Sequence, residues 1–211
     1  MHHTLKLYSR HREFSLKFYL FWAAWTRIPL IGFIARRVGN WWGKKLEGAY
    51  LLKTAEAEEI VDMAQQLALG PCACRQITRK CNNPIQAEIM LGMDGNVFVT
   101  ERPQDYRHIS KEEAKQVLRD CHKRGLIHTI IKCRDEYYAI CNCCTCCCVP
   151  LRLSKVYGIR NALVRREDIV AHFRAAPVGA HSTVAPAVHQ VHPARNHIQI
   201  AGHTLNRAKM G

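Results

Sequence analysis

The chain has 211 residues, a formal net charge of +14 and eleven cysteines. This length is ample for an apolar core without covalent cross-links, so the cysteines are not needed for folding. The high positive charge excludes an electrostatically neutral surface. It favours an anionic partner, either an acidic redox protein or an anionic membrane, and less strongly a nucleic acid.

The cysteines point to a reducing compartment. Their number is odd, and runs such as Cys146-Cys147-Cys148 are badly placed for mutual disulfides, whose geometry is narrowly defined. The basic and apolar start of the chain shows no cleavage pattern of a signal peptide. We therefore expect a cytosolic protein whose clustered thiols bind metal or carry out redox chemistry.

Residues 1–50 form a basic segment with two apolar runs, Phe18–Trp25 and Ile28–Ala35, interrupted by Arg27 and Pro29. Neither run reaches the ~20 residues that a membrane-spanning helix needs. The tryptophans of this segment suit a helix that lies in the membrane interface, peripheral on the inner face. The alternative, that these helices pack on the rest of the fold, stays open.

Residues 51–175 are predicted to form a cysteine-rich domain that begins with a helix over residues 54–69. Thr54 is a candidate cap, and one apolar stripe continues to Leu67. Gly70-Pro71 is expected to end this helix, which places the stretch with Cys72, Cys74 and Cys81 in a loop directly after it.

A second helix is predicted from Ser110, which forms a capping box with Glu113, to Gly125. Two strands follow at 126–132 and 136–141, and the second leads into the cysteine run. The predicted fold class is α+β, mainly helical, with a small helix and β-hairpin unit that resembles half of a winged helix. One more short helix is expected from about Arg166.

Residues 176–211 differ in composition from the rest of the chain. They are rich in Ala, Pro, Val and His without periodicity, and we predict a poorly ordered tail. Five histidines are irregularly spaced there, at positions 181, 189, 192, 197 and 203. This spacing does not favour a tetrahedral metal site.

Nine of the cysteines form two groups of candidate metal ligands. The groups are Cys72, Cys74 and Cys81, and the run of Cys141, Cys143, Cys144, Cys146, Cys147 and Cys148. Nine thiolates are enough for two [4Fe–4S] clusters with one ligand in excess. The dense spacing is unlike the paired knuckles of a zinc ribbon. Zinc or copper storage and a thiol-based catalytic or sensor site remain alternatives.

Three stretches carry a resemblance to a known group: "PCACRQITRKCNNP", "ISKEEAKQVLRDCHKRGLIHTI" and "YYAICNCCTCCCVPL". Over residues 54–165 the chain resembles largely uncharacterised bacterial and archaeal iron–sulfur proteins, often extended by a ferredoxin-type module. The resemblance implies [4Fe–4S] binding and electron transfer, with the nine cysteines as ligands.

The chain departs from that family in two ways. The family has a fourth cysteine four residues after the proline, where this chain has Glu88. Cys121, Cys133, Glu88 itself or a cysteine of the run can complete the first site, and an incomplete site would allow catalysis. The ferredoxin module is also absent, which favours a subunit that passes electrons to a partner.

Three further residues are candidates for lesser roles. Arg75 can donate hydrogen bonds to cluster sulfurs and raise the reduction potential. His128, between apolar neighbours, is expected to be structural rather than a ligand, and Cys121 is expected to be a buried thiol. The favoured function is an iron–sulfur electron carrier, with a redox- or metal-sensing nucleic-acid binder and an enzyme with an open iron site as alternatives.

Overall fold

The computed structural model describes residues 2–29, 31–45, 47–133 and 136–175. The predicted tail over residues 176–211, with its five histidines, lies outside the described residues. The side chain of Cys133 also lies outside them.

The described chain is mixed α and β. Its helices are α1 (His2–Ala24), α2 (Ile31–Lys45), α3 (Thr54–Met63), α4 (Ala73–Thr78), α5 (Gly92–Glu101), α6 (Lys111–Lys123), α7 (Val149–Lys155) and α8 (Ile169–Ala175). Its strands are β1 (Glu47–Leu51), β2 (Leu67–Pro71), β3 (Gln86–Leu91), β4 (Arg107–His108), β5 (Ile127–Cys133), β6 (Glu136–Cys143) and β7 (Leu163–Arg165). The predicted α+β fold class is confirmed.

The strands form one sheet in the order β4-β2-β3-β6-β5-β1-β7. All neighbours are antiparallel except β1 and β7, which are parallel. Because successive side chains of a strand point to opposite faces, the sheet can support a different set of helices on each side.

One face of the sheet carries the main apolar core. Ile130 and Ile140 of the central strands pack there against Ile60 of α3, Leu118 of α6 and Phe173 of α8. Each such side chain contributes roughly 1.5–3 kcal/mol when it is fully buried. This face anchors the sheet, and Cys141 and Cys143 of β6 lie on the opposite face.

The predicted helix over 54–69 is wrong in its second half. The helix α3 ends at Met63, Ala64 is extended, and Leu67 begins β2. The apolar residues that extend the helical stripe are instead the buried residues of a strand paired on both sides. Thr54 is the first helical residue and not the cap. The Glu56 carboxylate accepts a hydrogen bond from the Lys53 N–H at 2.7 Å.

The second predicted helix and the two strands after it are confirmed as α6, β5 and β6. Ser110 is the N-cap of α6, since its hydroxyl accepts a hydrogen bond from the Glu113 N–H at 3.1 Å. Gly125 follows the helix at φ +72°. The two strands pair as predicted, but they lie in the middle of the seven-stranded sheet. The last predicted helix begins at Ile169 as α8.

The two N-terminal helices have different surroundings on their two sides. Leu16 and Ala23 of α1 are buried against α4 and α7, whereas Phe14, Phe33 and Trp41 are more than half exposed. None of the helices in the described ranges has the length and apolarity that crossing a bilayer requires. The division of the chain at residues 50 and 175 stays a prediction.

Candidate metal centre

The end of β6 brings the cysteine run to the middle of the sheet. Cys141 lies opposite Glu88 of β3 on one side and opposite Thr129 of β5 on the other. Residues that are directly opposite in a sheet share a face. Glu88, Cys141 and Thr129 therefore form a row across three strands, on the face away from the main core.

Strand alternation and a turn divide the cysteine run between two places. Cys141 and Cys143 share one face of β6, because they are two residues apart. A turn over residues 145–147 follows, closed by a hydrogen bond from the Cys148 N–H to the Cys144 carbonyl at 3.1 Å. Cys148 then immediately precedes α7. Neighbouring cysteines thus point in different directions.

The outer thiol group consists of Cys81, Cys144, Cys146 and Cys147. Its four sulfur atoms all lie within 4.8 Å of one another. The Cys81 Sγ is 3.7 Å from the Sγ atoms of both Cys144 and Cys147. Cys144 and Cys147 are buried, whereas Cys81 and Cys146 are partly exposed. This arrangement can hold a metal ion.

The inner thiol group consists of Cys72, Cys74, Cys143 and Cys148. The thiol of Cys74 lies close to those of Cys72 and Cys148, and the thiol of Cys148 lies close to that of Cys143. The Cys74 Sγ also accepts a hydrogen bond from the Val149 N–H at 3.4 Å. Among the described residues, only the outer thiol group has all its sulfurs within 4.8 Å, so the inner group is the more open set.

Cys141 lies beside the inner thiol group and contacts a buried carboxylate. Its Sγ is 3.1 Å from Glu88 Oε1, and Glu88 is only 1% exposed. Arg12 of α1 forms an ion pair with the same carboxylate oxygen and donates a hydrogen bond to the Tyr106 hydroxyl at 2.8 Å. The buried charge of Glu88 is therefore matched by a cation from the N-terminal helix.

The Tyr106 ring reaches this position because Gly70 has no side chain. A Cβ atom at Gly70 would lie 2.0 Å from Tyr106 Cε1, closer than any two carbon atoms can approach without a bond. Gly70 thus lets the ring cross β2, and the ring in turn places its hydroxyl against Arg12. In the sequence, Gly70 and Pro71 resemble the end of a helix. In the structure they belong to β2, and Gly70 allows the close contact with Tyr106.

Arg75 lies between the two thiol groups and is fully buried. Its guanidinium donates hydrogen bonds to the carbonyls of Pro84 and Asn142, and it lies close to Cys144 of the outer group. Cys72 and Cys143 of the inner group are close enough to interact with its charge. Arg75 is thus the cation that both groups share.

Each thiol group holds one cysteine whose pKa is lowered. Hydrogen bonds from Cys148, Cys72 and the Val149 N–H lower the pKa of Cys74 in spite of burial. Burial also opposes ionisation of Cys81, but hydrogen bonds from Asn83 and the neighbouring thiols lower its pKa to about 7. Thiolates are the metal-binding form of cysteine, so each group contains one thiol prepared for coordination.

The structure brings together all nine cysteines of the predicted ligand set. Cys121 is buried against Cys144 and Cys147 but is not a member of either thiol group. His128 is also buried, where its Nδ1 lies 2.6 Å from the Asn142 Oδ1, and burial lowers its pKa. Both residues are thus in the buried, structural positions that the sequence favours.

One functional residue could not be found from the sequence, and that is Arg12. It is one of several basic residues in the N-terminal segment, and nothing in its local pattern marks it as buried. Its partner Glu88 is 76 residues away, so only the packing of α1 over the sheet brings the two together.

Comparison with known proteins adds no further identification. No family model, no curated protein and no solved structure matches this chain.

Proposed function

We propose that this chain is an iron–sulfur protein that transfers electrons, with one centre on the outer thiol group and one on the inner thiol group. The observation that carries the proposal is the gathering of eight cysteines into two adjacent groups of four, with Cys141 beside the inner group. Four thiolates satisfy one iron–sulfur cluster, and each group offers four.

The two groups are close enough to exchange electrons. Cys143 and Cys144 are consecutive, as are Cys147 and Cys148, and each pair has one member in each group. Consecutive Cα atoms are about 3.8 Å apart, so two centres held in this way are direct neighbours. A single structural ion would occupy only one of the two thiol groups. Electron transfer between two centres accounts for both groups.

The surroundings of the thiols also suit redox centres. Hydrogen bonds to cluster sulfurs and nearby positive charge raise the reduction potential of an iron–sulfur cluster. Here Val149 supplies an N–H to Cys74, and Arg75 supplies a buried cation to both groups. The positive net charge of +14 supports an acidic redox protein as the partner that receives or supplies the electrons.

A single zinc ion is the second candidate for the outer thiol group, because the sulfur spacing favours it. A tetrahedral zinc ion bound at about 2.3 Å to each sulfur holds the sulfurs about 3.8 Å apart. The separations of 3.7 Å around Cys81 agree with that value. The inner thiol group is more open, which favours a centre of several metal atoms there.

Elemental analysis of anaerobically purified protein tests the proposal. We expect iron together with acid-labile sulfide. We also expect a broad absorption band in the visible range that loses intensity when dithionite is added. Zinc in the outer group with iron and sulfide in the inner group would restrict the proposal to one redox centre. Stoichiometric zinc without sulfide would refute it.

Two variants assign the centres. Cys146→Ser should lower the metal content of the outer group only, and Cys148→Ser that of the inner group only. The matched control is Cys121→Ser, a buried cysteine outside both groups, which should keep the full iron and sulfide content. Equal losses in all three variants would show that the thiol groups are not the binding sites.

A further inference from the structure

A large apolar cavity lies between the N-terminal helices and the inner thiol group. Its volume is about 570 Å³, within the range of about 300–1,000 Å³ that is typical of sites for small organic ligands. Side chains of α1, α2 and α7 form its walls, and most of them are aliphatic or aromatic.

The cavity opens at the surface between α1 and α2. Phe18, Trp22, Ile34 and Val38 line the cavity and are also substantially exposed to solvent. A ligand therefore reaches the cavity past an apolar rim. Sugars, nucleotides and other highly polar molecules are disfavoured by such a path, because their polar groups would lose hydrogen bonds to water.

The base of the cavity differs from its walls. It is formed by the inner thiol group together with Cys141, Glu88 and Arg12. Glu88 is 1% exposed, and among the described residues its Oε2 atom has no hydrogen-bond partner. Buried polar atoms normally have a partner, and a carboxylate oxygen accepts hydrogen bonds, so this atom suits a ligand group that can donate one.

The walls also favour a flat ring. Trp22, Trp25 and Trp42 line the cavity, and Trp22 stacks on Trp25 with ring centroids 5.5 Å apart. Aromatic walls hold planar molecules by stacking. An apolar entrance, aromatic walls and a hydrogen-bond acceptor at the base, next to candidate redox ligands, together describe a lipophilic planar molecule that can present a hydroxyl group at one end.

We propose that this cavity binds a lipid-soluble quinone, with its ring toward the inner thiol group. The inference rests on the proposed iron–sulfur function for the chemistry, but not for the binding. If iron–sulfur centres occupy the two thiol groups, each would supply one electron in its reduced state. The quinone would take both electrons with two protons from the solvent and leave as the quinol, whose hydroxyl can donate to the Glu88 carboxylate.

Binding is tested with 2,3-dimethyl-1,4-naphthoquinone on the full chain. Carbons 2 and 3 of its quinone ring both carry methyl groups. Cysteine thiols therefore have no unsubstituted ring position to attack. We expect saturable quenching of tryptophan fluorescence, because three of the four tryptophans line the cavity. Equilibrium dialysis should give the same dissociation constant.

Ala35→Leu fills part of the cavity, since Ala35 lines it from α2. Binding should become weaker by about tenfold, which corresponds to about 1.4 kcal/mol. The control is Ala171→Leu, an exposed alanine in the middle of α8 that is far from the cavity and should not change the affinity. If Ala35→Leu does not fold, Val38→Glu is used instead. It places a charge at the exposed apolar rim of the cavity and should also weaken binding of the quinone.

The outcomes separate the two proposals. Iron and sulfide are measured in the same samples. Clusters without quinone binding, or equal affinity in the wild type and both cavity variants, would overturn the quinone site. Quinone binding without clusters would leave the site in place and refute the electron-transfer function. With both present, adding the quinone should reoxidise the dithionite-reduced, desalted protein and restore its visible absorption.

A second inference rests on the surface around the cavity entrance. A row of aromatic side chains in contact with one another runs along α1 from Phe14 through Phe18 and Trp22 to Trp25, just past the end of the helix. Phe33 and Trp41 of α2 are 64% and 57% exposed. Large exposed apolar patches on a protein surface mark interaction sites.

The charges beside this patch indicate what it contacts. Lys17, Arg37 and Lys44 are exposed on the same two helices, and the chain as a whole carries +14. We infer that α1 and α2 lie on an anionic membrane, with the aromatic side chains in the interface and the basic side chains at the lipid headgroups. A lipid-soluble quinone is dissolved in such a membrane.

Vesicle flotation tests the membrane surface independently of the cavity. The protein should float with vesicles of phosphatidylcholine and phosphatidylglycerol at low salt, and much less with phosphatidylcholine alone. The triple variant Phe21→Ser, Phe33→Ser and Trp41→Ser should lose flotation, because it removes three exposed aromatic side chains. None of these residues lines the cavity, so the variant tests the membrane surface alone.

The control variant is Ile85→Ser with Val156→Ser, which removes exposed apolar side chains outside both N-terminal helices. It should float like the wild type. Binding should also weaken at about 1 M salt, where the screening length falls to about 3 Å. Flotation that is unchanged in the triple variant would overturn the membrane assignment.

Discussion

The neighbours of Glu88 explain why a carboxylate can be buried at this position. The sequence resemblance predicts a cysteine at its position, and the glutamate found there is buried against Cys141 and paired with Arg12. A buried carboxylate needs a cation to remain in an apolar region. Glu88 and Arg12 of α1 therefore form one unit with the base of the cavity.

Removing one member of this ion pair should be costly. We expect Glu88→Ala to lower the free energy of unfolding by about 3–5 kcal/mol, because the guanidinium of Arg12 stays buried without its carboxylate. Urea unfolding measures the change. The double variant Arg12→Met and Glu88→Met should recover most of the loss, whereas Glu59→Ala, in the exposed pair with Arg174, should have little effect. A small effect of Glu88→Ala would show that the pair is not formed.

Glu88→Cys should strengthen metal binding by the inner thiol group. The new thiol would lie opposite Cys141 on the same face of the sheet, and Arg12 would favour its thiolate form. We expect slower loss of iron to a chelator than in the wild type, and no such gain in Glu88→Gln. Faster loss in a folded Glu88→Cys protein would mean that position 88 does not face the metal.

At the scale of the elements, the error over residues 54–69 shows what periodicity can and cannot decide. The apolar residues after Met63 continue a helical stripe, yet they belong to β2, which pairs with β3 and β4. Short apolar segments fit either structure, and partners far along the chain decide between them. Ser110 carried its own local signal, the capping box, and that prediction was confirmed.

The link between α3 and the edge strand β7 gives a prediction for pH. Hydrogen bonds from Arg165 at 2.5 and 2.6 Å lower the pKa of Glu56. A carboxylate with a lowered pKa stabilises the fold above its unfolded pKa, and that contribution disappears as the pH falls through the folded value. Glu56→Gln should therefore be less stable than the wild type at neutral pH, by about 1 kcal/mol.

The difference between the two proteins should shrink as the pH falls below about 4.3, the ordinary pKa of a glutamate. Thermal unfolding at neutral and acidic pH measures it. Arg165→Met should behave in the same way, because it removes the other half of the pair. A difference that is constant with pH would show that the charge of Glu56 does not cause the loss.

At the scale of the whole molecule, the sequence predicted which cysteines come together but not how they divide into two groups. Chemical type and density alone identified the nine cysteines, because thiols so close together have no packing role. Which thiol joins which group depends on the register of β6, on the turn after it and on the position of the 72–81 segment. Those depend on pairing between β3 and β6, which no local pattern contains.

The two thiol groups also connect distant parts of the chain. Cys81 comes from the segment after β2, and its partners Cys144, Cys146 and Cys147 follow β6. Cys121 of α6 and Leu126 pack directly against the outer thiol group. A metal centre that exists only in the closed structure couples its own binding to folding. The end of α6 should therefore be held in place by a centre to which it contributes no ligand.

Cys81→Ser tests this coupling. We expect lower metal content in the outer thiol group and faster amide exchange at residues 117–126 and 144–148, by about tenfold or more, which corresponds to about 1.4 kcal/mol. Hydrogen exchange with mass spectrometry resolves the two segments.

Cys121→Ser is the matched control, because it changes a thiol that contacts the outer thiol group but is not a member of it. It should keep the metal and disturb exchange only around its own turn of α6. If Cys81→Ser loses metal while exchange at 117–126 is unchanged, the metal centre and the helix are independent, and apolar packing alone holds the end of α6.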